Sequence, residues 1–437
     1  MRVPRGLEWG FRDKPFTAWG GLRVLEEMRR RLGWNEVLAA APLPPPGSNR
    51  GMAPVLMVEA FLVRVWRGGG RFAHTALVRF DAALRAIFGL KPVGSVSTFT
   101  RFLRRFGRKE VEGLLGTIAT GLGCQVGGGT GTVDLDSSVL TRYGQQEGRQ
   151  VGYNPRHCGK PSHHPLMAFA AECRRVVTAG LGPGNRREGS NVENFFQAVL
   201  AVLGPRPRIG LRRCDCDFCL GSFLDLVESQ SIHYGMPVRM LATIRRQVSG
   251  IGNWIALGGP MAVAEFQYPA QGGSRVRPVV VVGQPVRDQG RGRRLLEVPG
   301  YTYSLDVTNL DLPALQVRAL YPGRADRENR MKEWLHDFAI GGFVRQKFGA
   351  TARAFRLACL AYNLMSLFRQ TLLGGASQPT LSTLRTQGFA IGASLGKAGH
   401  HVMLRLGLPP PRRAGFRGWC SRAEQIISPC LVENANA

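Results

Sequence analysis

The sequence predicts an α/β protein: a mixed sheet, preceded by a basic all-helical region and interrupted by a mostly β segment. Three observations carry this. Residues 1 to about 118 place apolar side chains at helical spacing. From Gly131 onward, period-two strands mix with amphipathic helices, which is the pattern of an α/β sheet. Residues 246 to 313 are short apolar runs broken by Gly and Pro, and helices resume only near Gly323. A chain of 437 residues is long enough for more than one folded unit, and 44% hydrophobic residues can bury a sizeable core, which excludes wholesale disorder.

In the N-terminal region Leu22, Leu25, Met28 and Leu32 mark a first helix, with Arg29, Arg30 and Arg31 alongside. Pro54 to Trp66 reads as a second, largely buried helix. Leu77, Phe80, Leu84 and Phe88 mark a third. A fourth starts from an N-cap at Ser97 or Thr98 and turns Phe99, Phe102, Leu103 and Phe106 inward. Its other faces carry Arg101, Arg104, Arg105, Arg108 and Lys109, which fits either a DNA-contacting helix or a solvated basic face.

Thr132 to Leu140 alternates as a strand. Leu166 to Cys173 and Val176 to Leu181 are two more, joined by a turn, and they make the start of the sheet a meander. Val192 to Leu203 is an amphipathic helix, Ile209 to Asp215 a fourth strand, Gly221 to Ile232 a helix and Val238 to Ile244 a fifth strand. The following segment holds Trp254 to Leu257, Val263 to Tyr268, Val276 to Val282, Leu295 to Val298 and Tyr301 to Val307 as short strands. Helices then run to Leu373. Pro-rich breaks lie at Ala41 to Gly47 and Leu408 to Pro411.

The charge points to the partner. There are 58 Lys and Arg against 30 Asp and Glu, a formal net charge of +28. Such an excess makes a small acidic substrate improbable and nucleic acid the expected partner. The preference for Arg over Lys, together with 56 Gly, also fits GC-rich coding. No membrane segment is expected: the apolar stretch Pro54 to Trp66 is interrupted by Glu59 and Arg64 and falls short of the roughly 18 residues a span needs. Met1-Arg2-Val3-Pro4-Arg5 lacks the apolar run of a signal peptide. Nine Cys without framework spacing fit a reducing cytoplasm.

Three groups of carboxylates are candidates for chemistry. In Thr132-Val133-Asp134-Leu135-Asp136-Ser137, Asp134 and Asp136 share one strand face. Two such neighbours repel and need compensation, which a divalent cation provides; the alternative is a solvated acidic edge. Asp215 lies at the C-terminal end of a strand, where open α/β sheets place ligands. Tyr321, Arg324 and Glu328 fall on one helix face, whereas Glu333 points elsewhere. Acidic residues from separate segments suit Mg²⁺ or Mn²⁺ and two-metal phosphoryl chemistry. A Walker A loop and a Ser-His-Asp elbow are both missing, so NTP hydrolysis and acyl transfer have no support.

A longer pattern runs through these residues: Asp134-Leu135-Asp136-Ser137-Ser138, Tyr143-Gly144, Glu147-Gly148, Gly152-Tyr153-Asn154-Pro155, Gly159-Lys160-Pro161-Ser162 and His164-Pro165-Leu166. Arg213-Cys214-Asp215 to Phe218, the Tyr321-Arg324-Glu328 signature and Ala361-Tyr362-Asn363-Leu364 complete it. With this pattern the chain resembles the DDE insertion-sequence transposases, and among them the thirteen-eighty family of insertion sequences. The resemblance covers roughly Ser97 to the basic tail. It implies an RNase H-like core with a β insertion before the last Glu, and a helical N-terminal DNA-binding region. It implies Asp136, Asp215 and Glu328 as the catalytic, metal-holding triad, with Asp136 preferred over Asp134 because it directly precedes Ser137-Ser138. Further implications are Mg²⁺ or Mn²⁺ and terminal inverted repeats plus target DNA as double-stranded substrate. From the helix face itself, Tyr321 and Arg324 are placed to contact phosphate, and Lys332, one turn after Glu328, is the candidate to stand in for the Lys missing at 335. Pairing two ends implies self-association in the complex. The expected location is the bacterial cytoplasm, at the nucleoid when DNA-bound.

The resulting division is 1–118 helical and DNA-binding, 119–245 first part of the core, 246–313 β insertion, 314–375 second part with the Glu helix, and 376–437 basic tail. The chain departs from the family pattern at Asp217, where Gly is usual, at Leu335, where Lys is expected, and mildly at Ser138 in place of Thr. These departures define one alternative, a catalytically impaired DNA-binding relic; a nuclease built on the same core is another. Outside the pattern, Cys214, Cys216 and Cys219 read as structural thiols rather than a zinc site. His163-His164 reads as part of a structural or DNA-facing loop, and Trp254 as a core residue or a platform for a flipped base.

Overall fold

The computed structural model describes residues 10–11, 13–49, 51–91, 93–107, 113–118, 131–185, 192–204, 209–214, 218–257, 259–270, 272–285, 301–319, 324–374 and 378–426. After a short strand, β1 (Phe16–Thr17), the N-terminal region forms α1 (Arg23–Arg31), α2 (Trp34–Ala40), α3 (Pro54–Trp66), α4 (Thr75–Arg79), α5 (Ala82–Ile87) and α6 (Val96–Arg105). Pro54 opens α3 at a position where the missing N–H costs nothing. The expected single helix from Leu77 to Phe88 is two, because Asp81 leaves helical geometry to cap α5. Its carboxylate accepts from Leu84 N at 2.8 Å and from Thr17 Oγ1 at 2.7 Å. The cap of α6 is Ser95, two residues before the expected position, and it accepts from Thr98 N.

The core alternates as β2 (Gly131–Ser137), β3 (Leu140–Thr141), β4 (Gln150–Val151), β5 (Pro161–Ala170), β6 (Arg175–Pro183), α7 (Val192–Leu203), β7 (Ile209–Arg213), α8 (Gly221–Ser229), β8 (His233–Pro237) and α9 (Ala242–Ser249). Val238 to Ile244, expected as a strand, is not one. The strand lies earlier because Gly235, Met236 and Pro237 pair with a later strand, and Ile244 and Val248, one helical turn apart, are the buried face of α9. There follow β9 (Ile255–Ala256), β10 (Ala262–Pro269), β11 (Val276–Pro285) and β12 (Tyr301–Thr308). Leu295 to Val298, expected as a strand, lies outside the described residues.

These strands make one mixed sheet of 11 strands in the order β3-β5-β2-β7-β8-β12-β11-β10-β9, with β4 and β6 also pairing β5. β2 is antiparallel to β5 and parallel to β7, and β7 is parallel to β8. The β-rich segment therefore does not fold apart from the core. β12 pairs antiparallel with β8, Asp306 opposite Pro237 and Thr308 opposite Gly235, so the segment extends the same sheet.

The chain then forms α10 (Ala314–Ala319), α11 (Arg324–His336) and α12 (Phe348–Leu372), followed by α13 (Leu381–Leu384), β13 (Ala393–Ala398), β14 (His401–Leu406) and α14 (Pro410–Glu424). The C-terminal segment is built into the fold rather than trailing from it. β13 pairs with β1 and β14, and α14 lies against α1 and α12. Among the described residues no helix is long and apolar enough to cross a membrane.

Two apolar cores cover the two faces of the sheet. Val133 and Leu135 of β2 meet α7, α8 and α9 on one side. On the other, Met167 and Phe169 of β5 share a core with α1, α3, α6, α11, α12 and Ala423 of α14. α12 is buried along most of its 25 residues, and the Trp66 indole of α3 donates to Ala361 O at 3.1 Å. The N-terminal helices and the sheet are thus joined through α12.

This helical core contains charge. Arg29 is 2% exposed and stacks over Trp34, Trp66 and Phe88. It donates to Glu59 of α3, which also accepts from the Trp34 indole. Arg29 also donates to Glu26, so Glu59→Ala breaks one of two carboxylate contacts and is expected to lower unfolding free energy by about 1.5–3 kcal/mol, the range for a hydrogen bond to a charged group. Replacing both Arg29 and Glu59 by Met should recover most of that loss; a double variant as unstable as the single one in chemical denaturation would remove the ion pair as the cause.

Candidate active site

β2 runs toward its C-terminal end with Thr132, Asp134 and Asp136 on one face. Asp134 lies opposite Phe169 and Asp136 opposite Met167, so both carboxylates look to the α11–α12 side of the sheet. Asp134 is completely buried, whereas Asp136, nearer the strand end, is 8% exposed. Asp136 Oδ1 accepts from Ser137 N at 2.8 Å. Asp134 Oδ2 accepts from Arg330 Nη2 at 3.0 Å, and Arg330 is itself buried with its guanidinium 5.9 Å from the Phe169 ring centre. The compensation that the adjacent carboxylates require is therefore supplied at Asp134 by a protein cation.

Arg330 belongs to α11, the helix whose backbone also includes Arg324, Glu328 and Lys332. Further along, Trp334 is fully buried and packs edge-on to Phe355 of α12, with ring centres 5.2 Å apart. Glu333 accepts from Arg369 of α12 and from Leu381 N, and burial raises its pKa. Glu333 is thus a structural carboxylate, while Arg330 brings the same helix to β2. Lys332 is exposed, and Leu335 packs against the edge of the helical core. The side chains of Arg324 and Glu328 lie outside the described atoms, as do Tyr321, Asp215, Cys216 and Asp217 entirely. On an α-helix positions 328 and 330 are about 200° apart, so Arg330 and Glu328 occupy different faces of α11.

Arg213, the last residue of β7, is the partner of Asp134 on the parallel neighbour β2. Asp215 and Asp136 each follow two residues later in the sequence. Of the nearby thiols, Cys214 is buried and Cys219 partly buried. Among the described residues, no group of three His, Cys, Asp or Glu is arranged to hold a metal.

The connection from β2 to β5 returns beside the carboxylates, since Ser138 N donates to Pro165 O at 3.2 Å. His163 and His164 are not in a loop but on β5, both buried. Arg142 Nε donates to His163 Nδ1 at 3.0 Å and Arg142 Nη1 to Gly341 O at 2.7 Å; His163 Nε2 faces Glu147 O at 3.1 Å. Burial, reinforced by Arg142, pushes the His163 pKa from 6.5 down to about 4. The imidazole is therefore neutral and structural, a feature the sequence signals only as a His-His pair.

Arg101, Arg104 and Arg105 are exposed on α6, while Phe99, Phe102 and Leu103 are buried beneath them. Arg108 lies outside the described residues. The three arginines line a groove of about 460 Å³, whose far wall is the loop holding Gly47, Ser48 and Gly51. Arg105 Nη1 donates to Pro45 O at 3.2 Å. Trp254 is not a free platform: its indole donates to Ile251 O at 3.0 Å and it packs near Tyr303 on the sheet core.

The family model described as transposase DDE domain group 1 matches residues 5–426. No curated protein matches the chain. Among solved structures, a piggyBac transposase synaptic complex with hairpin DNA, determined by cryo-EM, is similar over 84% of this chain and 78% of that chain. The identity is 12% and the TM-score 0.45.

Two outcomes follow from this geometry. Asp134→Ala leaves Arg330 buried without its carboxylate and should cost about 3–5 kcal/mol. Asp136→Ala, at the strand end, should cost less than about 1.5 kcal/mol; equal losses in denaturant titration would contradict the division of labour between them. The second outcome concerns acid. Because His163 titrates near 4 when folded and near 6.5 when unfolded, only the unfolded chain gains that proton in between. Stability should be full above 6.5, fall as pH drops to about 4, and lose nothing further from this group below that. His163→Gln should flatten that decline in thermal melts.

Proposed function

Because this chain belongs to the transposase DDE domain group 1 family, and so is a DNA transposase that cleaves and transfers DNA, we propose that Asp136, Asp215 and Glu328 form its metal-binding active centre. The observation that carries this is the buried Asp134–Arg330 pair. It docks α11 onto the strand bearing Asp136 and sets Arg330 against Asp134; Glu328 belongs to another face of that helix, and its inclusion rests on the Tyr321-Arg324-Glu328 signature. The register of β7 supports the inclusion of Asp215, since its strand ends beside Asp134.

All three groups offer hard oxygen donors, which suits Mg²⁺ or Mn²⁺. When bound, the ions would lower the pKa of the attacking water and stabilise the entering and leaving oxygens. The chain's own residues position the DNA. Arg324 and Lys332 on α11 steady phosphate oxygens as cations, and Tyr321 precedes them on the same approach. In the first step the phosphodiester at an element end is hydrolysed, leaving a 3′-OH. In the second, that hydroxyl attacks another phosphodiester in line and expels its 3′ oxygen. The substrate is double-stranded DNA: terminal inverted repeats of an insertion sequence of the thirteen-eighty type, and then a target. Arg101, Arg104 and Arg105 bind the backbone away from the scissile bond. Holding two ends together requires at least two copies in the complex.

Asp136→Ala should reduce Mg²⁺-dependent cleavage of a duplex carrying the element end to background, while duplex affinity stays within about twofold. Cleavage that persists in this variant would overturn the assignment of Asp136.

A further inference from the structure

The excursion from β2 to β5, residues 138–160, carries exposed aromatic rings beside the carboxylate strand. Tyr143 is 76% exposed and Tyr153 is 59% exposed. A buried structural Tyr hides its ring; these two present theirs to solvent on a segment that is firmly held. Asn154 Nδ2 donates to Thr141 Oγ1 at 3.1 Å and to Lys160 O at 3.3 Å. Glu147 N donates to Gln346 O at 2.9 Å. Gly148 sits at φ +77, where a Cβ would come within 2.4 Å of the Phe348 ring. The segment is therefore ordered, and exposure of the rings is not a consequence of a loose loop.

Its charge is one-sided. Between Ser138 and Pro165 the sequence holds Arg142, Arg149, Arg156 and Lys160 against the single acid Glu147. Glu147 is occupied: its Oε2 accepts from Phe348 N, the first residue of α12, at 2.9 Å. Arg142 is buried on His163, but Arg156 and Lys160 are exposed. Exposed aromatic faces among cations, with no available carboxylate, are what unpaired nucleotides bind: bases stack on the rings and the backbone meets the cations. Duplex DNA alone does not need the rings, because its bases are already stacked.

We propose that residues 138–160 bind unpaired DNA nucleotides flanking the cleavage site, beyond the C-terminal end of β2, with Tyr143 and Tyr153 stacking on bases and Arg156 and Lys160 holding the strand. The proposal rests on the transposase reading, since it is the carboxylate end of β2 that makes this surface adjacent to the chemistry. It assigns the stacking role to this excursion and not to Trp254, whose ring is engaged with Tyr303.

The test uses the full-length protein without divalent metal, so that no cleavage occurs. The probes are one duplex in two forms, blunt and with a three-nucleotide single-stranded tail carrying 2-aminopurine. The wild type should bind the tailed form about fivefold or more tightly than the blunt one and should change the 2-aminopurine fluorescence. Tyr143→Ala with Tyr153→Ala should lose both effects and keep the blunt-duplex affinity, and the Tyr→Phe pair should retain both. A tail preference unchanged in the Ala variant, or no fluorescence change with the wild type, would overturn the platform. Failure of the wild type to bind either form would instead strike at the transposase reading.

Discussion

The ion pair between Asp134 and Arg330 is the constraint around which the site is arranged. Both partners are buried. Taking two charges out of water costs several kcal/mol each, and only close, well-oriented partners recover it. Once Asp134 sits inside the sheet, a cation must reach it, and that cation comes from α11, 196 residues later. The consequence is geometric: α11 cannot leave β2 without breaking this buried pair. Trp334 and Glu333 then fasten the same helix to α12, so the helix is clamped between the sheet and the long buried spine.

The net charge of +28 acquires a different meaning once burial is known. Not every arginine faces a partner. Arg29 and Arg369 neutralise carboxylates inside the helical core, and Arg64 stacks among Phe61, Phe72, Phe99 and Phe343 with its pKa pushed down to about 9 by burial. Arg30 and Arg31, which look like a basic helix face in the sequence, share Glu27. The cations left to meet a polyanion are those at the surface, such as Arg101 and Arg104 on α6 and Arg156 and Lys160 on the excursion. Composition identifies the kind of partner; burial decides which residues meet it.

How much was legible from the chain differed with the range of the forces involved. Pro54–Trp66 and Val192–Leu203 emerge with the expected bounds because apolar periodicity, with Pro54 opening the first, determines them. The alternation around Asp134 and Asp136 was visible for the same reason. The role of Asp134 was not, because nothing near it in sequence announces Arg330. Residues 238–244 were misread as a strand because their apolar pattern is short; the pairing of β8 with β12, some 70 residues away, decides where the strand lies. The same pairing joins the expected β-rich segment to the core sheet. For His163 and Trp254 the sequence left a structural and a DNA-facing reading open, and their hydrogen bonds are structural.

Rigidity and exposure together separate the structural aromatics from the functional candidates. Most large aromatic residues in this chain are consumed: Trp34, Trp66 and Trp334 are buried, and Phe99 and Phe102 close the helical core. An exposed ring on a mobile tip would carry little meaning, since exposed hydrophobics are common on any surface. Tyr143 and Tyr153 differ because the backbone between them is fixed by Asn154, by the 341–348 segment and by a glycine at positive φ. A surface that orders its backbone and still leaves rings uncovered has lost chain entropy without recovering it by burial. A bound partner supplies the missing contact, and the cations around the rings indicate that the partner is a nucleic acid strand.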